Sequence, residues 1–129
     1  MAMRRRTGPY PEKLVVVGGT VAMGEALEDA LRRHFLDDLG VEIQISQSPL
    51  CMSQYHKDAP DDRWMQDPGK EHVISPVYLV QIKGEAPTQS LQKDSIVWFS
   101  EDFMPSDVEF GYANERLYRK AFLSFKCKT

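Results

Sequence analysis

Gln81 and Lys83 stand two residues apart in Val80-Gln81-Ile82-Lys83, and in an extended chain that spacing places both side chains on one face. A carboxylate beside them would complete a set suited to divalent-cation chemistry on a phosphate ester. Oxygen donors would hold the cation, while the lysine stabilised charge on the attacking hydroxide or the phosphoryl oxygens. The acids that could serve are Asp61 or Asp62, in the tract Asp61-Asp62-Arg63-Trp64, together with Glu28 upstream. Without a carboxylate in reach, Gln81 and Lys83 are the solvated end of a strand, with no catalytic residue, metal or cofactor.

Other candidate chemistry is sparser. Gly18-Gly19-Thr20 joins an apolar run to a helix start, where unpaired backbone N–H groups suit an anion. The third glycine of a dinucleotide loop and the Gly-Lys-Ser/Thr of a phosphate loop are both missing, which leaves a tight strand-to-helix turn. His34, His56 and His72 show no ligand spacing to another His, Cys or carboxylate. His34 falls on the apolar side of its helix and reads as a core or interface histidine. Cys51 and His56 share one segment, but a thiolate–imidazole pair needs an orienting third group that the sequence does not show. Cys51 and Cys127, without a C-x-x-C spacing, read as free thiols.

The elements that must position these groups follow from periodicity. Lys13-Leu-Val-Val-Val-Gly-Gly19 has the profile of a buried strand. From Thr20 to Leu39, Met23, Leu27, Leu31 and Phe35 recur every four residues, predicting one long amphipathic helix capped by Thr20 and closed by Gly40. Glu28 with Arg32 and Asp29 with Arg33 have the spacing of stabilising helix pairs. Residues 41–46 alternate as a half-buried strand, 47–75 read as a long irregular loop broken by prolines, and 76–84 and 95–100 read as strands. Ser106 and Glu109 have capping-box spacing. Residues 117–128 fit either a helix or a strand, and the alternation favours a terminal strand. The expected fold is α+β: a single small domain over 13–129, with the helix packed on a four- or five-stranded, mostly antiparallel sheet. Residues 1–12 read as a basic, proline-containing N-terminal arm.

A chain of 129 residues with 42% hydrophobic residues can bury the core of one domain. Its net charge of −3 argues against a protein that coats nucleic acid. No apolar run approaches the roughly 20 residues that span a bilayer, and no secretory pattern is present, so a cytoplasmic or virion location is expected.

Three expectations about function result. With no compact catalytic constellation, the lead expectation is a non-enzymatic structural, assembly or adaptor subunit of a homo-oligomer, of the phage connector or tail-terminator kind. Arg4, Arg5, Arg6, Tyr10, Tyr55 and Trp64 would then make its contacts with copies of itself or a neighbouring structural protein. The alternative rests on a resemblance. "EALEDALRRHFLDDLGVEIQIS" followed by Gln81-x-Lys83 and "SIVWFSEDFMPSDVEF" resembles the Mrr-like restriction endonucleases of the PD-(D/E)xK type. That resemblance implies a Mg²⁺-dependent nuclease with Asp62, Gln81, Lys83 and Glu28 in its site. A small effector or immunity protein binding one target fits the same composition.

Overall fold

The computed structural model describes residues 1–8, 10–56, 72–112 and 114–128. In chain order the elements are β1 (Ala2–Arg4), β2 (Leu14–Val15), α1 (Leu27–Leu39), β3 (Ile43–Ile45), β4 (Cys51–His56), β5 (His72–Val77), β6 (Val80–Ile82), β7 (Ser95–Val97) and α2 (Asn114–Lys128). Two single 3₁₀ turns, Glu101–Phe103 and Asp107–Glu109, lie between β7 and α2.

The strands pair antiparallel in three small sheets, ordered β2-β1-β7, β3-β6 and β4-β5. Strand alternation decides what each face of the first sheet buries. Met3 is in register with Val15 on one side and Ile96 on the other, and the three share a face. Phe35 and Leu39 of α1, with Val17 and Ile43, close over that face as one core cluster. Ala2 and Leu14 point the opposite way and meet Phe110, which follows the second 3₁₀ turn, and Tyr118 of α2 in a second cluster, flanked by Val16, Val97, Phe99 and Phe122. The sheet is thus the filling between two helices. Leu14 and Phe110 are fully buried, each worth about 1.5–3 kcal/mol against exposure. Phe99, Phe110 and Tyr118 pack there edge-on or tilted, with ring centroids 5.1–6.1 Å apart. Burial raises the Tyr118 hydroxyl well above the usual phenol range, and it donates to the carbonyl of Met1.

Several expectations are corrected. Among the described residues the domain mixes two helices with antiparallel strands, and three small sheets stand in place of one sheet of four or five strands. Residues 1–12 were expected to reach outward, whereas Ala2–Arg4 form the central strand of the first sheet. The loop expected over 47–75 contains β4 and β5, paired over six residues each. Helix α1 begins at Leu27 and not at Thr20, because the turn from Gly18 to Gly24 carries positive φ at both glycines. Gly40 ends it as expected, at φ 67°, with its N–H donating to the Leu36 carbonyl at 2.9 Å. The capping box of Ser106 and Glu109 is real but closes only a 3₁₀ turn. Residues 117–128 are helical. Leu117 and Tyr118 are adjacent and both buried, which a helix stripe allows and an alternating strand does not.

Candidate active site

The turn between β2 and α1 is clamped onto the helix by its own side chains. Glu25, just before the helix, forms a two-point pair with Arg33: Arg33 Nε donates to Oε2 at 2.8 Å and a terminal nitrogen donates to Oε1 at 2.9 Å. Oε1 also accepts the Ala22 N–H at 3.0 Å, and together these hold the Glu25 carboxyl down at about 2. The Thr20 carbonyl accepts from Arg33 at 3.2 Å and from His34 Nε2 at 2.8 Å. A carbonyl can only accept, so in the neutral ring the proton sits on Nε2 and the lone pair on Nδ1. The clamp explains Gly19. A Cβ there would lie 2.5 Å from His34 Cε1, so the backbone passes against the imidazole with no room for a side chain.

His34, Asp37 and Asp38 lie at i, i+3 and i+4, on one side of α1. His34 and Asp38 line a cavity of about 420 Å³. The rest of its lining comes from three stretches of chain: Met3 of β1 with Arg5, Arg6 and Thr7 after it, Val15, Val16 and Gly18 at and after β2, and Gln92 and Asp94 before β7. Burial raises the Asp38 carboxyl above the ordinary carboxylate range; the charges of Asp37 and Asp94 add to this, while His34 and Arg5 oppose it. Asp94 is anchored: its N–H donates to Ser90 Oγ at 2.9 Å and its carboxylate accepts the Arg6 N–H at 3.1 Å. The Arg6 side chain donates to the Gln92 carbonyl at 2.8 Å. The Leu91 N–H donates to the Asp38 carbonyl at 2.8 Å, which ties this stretch to the end of α1.

Among the described residues no three His, Cys, Asp or Glu side chains converge as a metal cage. A cage is not the only way to hold Mg²⁺, which commonly takes one or two carboxylates and completes its shell with water and phosphate oxygens. Asp38, a desolvated carboxylate in the cavity, and Asp37 beside it are hard oxygen donors of that kind.

The residues singled out from sequence are dispersed. Gln81 is exposed on β6 and faces Gln44 of β3 across the ladder; the Lys83 N–H donates to the Glu42 carbonyl at 2.9 Å. Glu28 accepts from the Tyr78 hydroxyl at 3.4 Å. Asp61, Asp62 and Trp64 lie outside the described residues. Cys51 and His56 open and close β4, about 16 Å apart at strand rise, and both cysteines are free thiols. Tyr55 lies one residue before the end of β4. Tyr10 is buried, with its ring 4.6 Å from that of Tyr112. The three consecutive arginines are divided by strand geometry: Arg4 pairs with Glu109 at 3.2 Å, Arg5 faces the cavity, and Arg6 is tied to the 92–94 segment. The helix pairs also differ. Arg33 takes Glu25 instead of Asp29, and Arg32 takes Asp29 at 3.2 Å.

The NUDIX domain model matches residues 1–119, from β1 into α2 and across the whole cavity. The chain belongs to the NUDIX family. No curated protein matches it significantly. Membership overturns the expected structural or phage-assembly subunit, the effector or immunity reading and the PD-(D/E)xK nuclease, since a NUDIX domain accounts for the same residues. The stretch read as the nuclease helix and strand is instead the α1 region of the NUDIX domain. The sequence reading gave Arg5 to partner contacts, Arg33 to a helix pair with Asp29 and His34 to the core or an interface, and it passed over Glu25 and Asp38. Among the described residues no helix is long and apolar enough to cross a membrane.

Proposed function

We propose that the protein is a NUDIX hydrolase that cleaves a diphosphate linkage, the chemistry for which the family is named, in the cavity between β1 and α1. The observation that carries this reading is the cavity's lining: within a NUDIX domain, Arg5 and Arg6 line the same cavity as His34 and Asp38 of α1. In the reaction an oxygen of water bonds to one phosphorus and the bridging P–O bond breaks. The bridging oxygen leaves with the other phosphoryl group, and the water's proton passes to a base.

His34 is suited to receive that proton, because its bond to Thr20 fixes the tautomer and leaves Nδ1 as the acceptor. Asp38 and Asp37 would hold a divalent cation, which supplies Lewis-acid stabilisation of charge on the phosphoryl oxygens. The Glu25–Arg33 pair holds the turn in place so that His34 keeps its position. The test is turnover of inorganic pyrophosphate and a panel of nucleoside diphosphate derivatives with Mg²⁺, followed by product separation. The expected result is hydrolysis of at least one class, reduced about a hundredfold or more in Asp38→Asn. Failure of the wild-type protein on every diphosphate, or full activity in Asp38→Asn, would overturn the proposal.

A further inference from the structure

We infer that Arg5 is the anion-holding residue of the cavity, gripping a phosphate group of the ligand against the end of β1. This rests on the diphosphate reading for the ligand's identity but on separate geometry for the site. Three successive arginines occupy β1 and its extension, and two of them are already engaged. Arg4 lies between Glu109 and the Glu12 carbonyl, and Arg6 between Asp94 and the Gln92 carbonyl. Arg33 on the helix is likewise held by Glu25.

Arg5 differs from them. Its backbone is locked, since its N–H donates to the Lys13 carbonyl at 3.2 Å and its carbonyl accepts the Glu12 N–H at 2.6 Å. Its side chain is half-buried in the cavity wall, and among the described residues its guanidinium has no ion pair within 4 Å. Arg5 and Asp38 line the same cavity without an ion pair between them, and the Arg5 charge opposes the rise in the Asp38 carboxyl. A guanidinium presents a planar fork of N–H donors that matches two oxygens of one phosphate. Held over a small cavity by a strand whose own hydrogen bonds are complete, such a fork is preorganised for an incoming tetrahedral anion. Two glycines leave space for it: Gly18 is part of the cavity's lining, and Gly8 lies beside the guanidinium, where a Cβ would be 3.4 Å from a terminal nitrogen.

The test is calorimetric binding of inorganic pyrophosphate to the full chain in EDTA, so that no cation bridges the contact, alongside steady-state kinetics with Mg²⁺. Wild type is compared with Arg5→Gln, Arg5→Lys and Arg4→Gln. Because the side chain of Arg5 carries none of the strand's hydrogen bonds, Arg5→Gln should fold, which circular dichroism checks. The expected result is a Kd for pyrophosphate weakened about ten- to a hundredfold in Arg5→Gln, a partial rescue in Arg5→Lys and no change in Arg4→Gln. In turnover, KM rises more than kcat falls. Equal pyrophosphate affinity in wild type and Arg5→Gln overturns the inference, as does a wild-type protein that hydrolyses diphosphates yet shows no binding in EDTA. Binding that depends on Arg5 in a protein that hydrolyses none of the panel upholds the anion site and sinks the hydrolase reading alone.

Discussion

Replacing Gly19 with alanine tests whether the turn is held against the helix through His34. The backbone there lies outside the left-handed region, so alanine is conformationally tolerated. The obstacle is contact: the three atoms nearest to a Cβ all belong to the His34 ring, at 2.5, 2.8 and 3.1 Å. Reaching ordinary van der Waals distance requires the ring to retreat by about 1 Å, which stretches the 2.8 Å bond to the Thr20 carbonyl beyond hydrogen-bonding range. The lost bond costs about 0.5–1.5 kcal/mol. Alanine also restricts the unfolded chain and returns about 0.4–1 kcal/mol. The net change in stability is therefore small, while turnover falls at least tenfold because the proton acceptor has moved. A double-mutant cycle with His34→Ala isolates the contact. In that background the clash is absent, so Gly19→Ala should stabilise by about 0.4–1 kcal/mol and leave the residual rate unchanged. Urea unfolding and initial rates on all four proteins give both couplings. An effect of Gly19→Ala that is the same in both backgrounds would refute the reasoning.

Asp38→Asn should stabilise the fold at neutral pH. A carboxyl whose folded pKa is raised contributes stability at low pH that is lost as pH rises from its ordinary 3.8 through the folded value, so the two unfolding curves should converge in acid. Glu25 has the opposite sign. Its folded value of about 2 means that its contribution is present above 4.5 and lost as pH falls toward 2, so the melting difference between wild type and Glu25→Gln should shrink across that window. Leu14→Ala removes a fully buried side chain between β1 and α2 and should cost about 2–5 kcal/mol in urea unfolding; a loss below 1 kcal/mol would contradict the packing described. Lys83→Ala, at an exposed position on the end of β6, should leave turnover unchanged and stability within about 0.5 kcal/mol.

The parts of the fold that could be read from sequence were those with local causes. The periodic apolar face of α1 and the glycine at its end were legible, because both are set within a few residues of chain. The start of α1 was not, since the spacing of Met23 fits the helical stripe although Met23 is fully exposed in the turn before it. The role of residues 2–4 was hidden for a different reason. Three residues carry too little alternation to mark a strand, and the partners that make it central are about ten and ninety residues away. The same holds for the site. Gln81 and Lys83 gave a local pattern, whereas Arg5 and Asp38 meet only because β1 and α1 pack on one another. Glu25 and Arg33 fell between the two cases, near in sequence but joined across a helix boundary drawn in the wrong place.

The position of β1 has a kinetic consequence. It pairs with β7 at Ser95–Val97, about ninety residues further along the chain, and its second face is covered by Tyr118. Neither face of Ala2-Met3 can be fully enclosed until more than a hundred further residues have been made. Such long-range closure is slow compared with helix formation. α1 and its clamped turn can form early from local contacts, while the arginine wall of the cavity is among the last parts to be fixed. A ribosome-bound chain stalled before β7 would therefore have the acidic half of the site in place while the basic half was still unfixed.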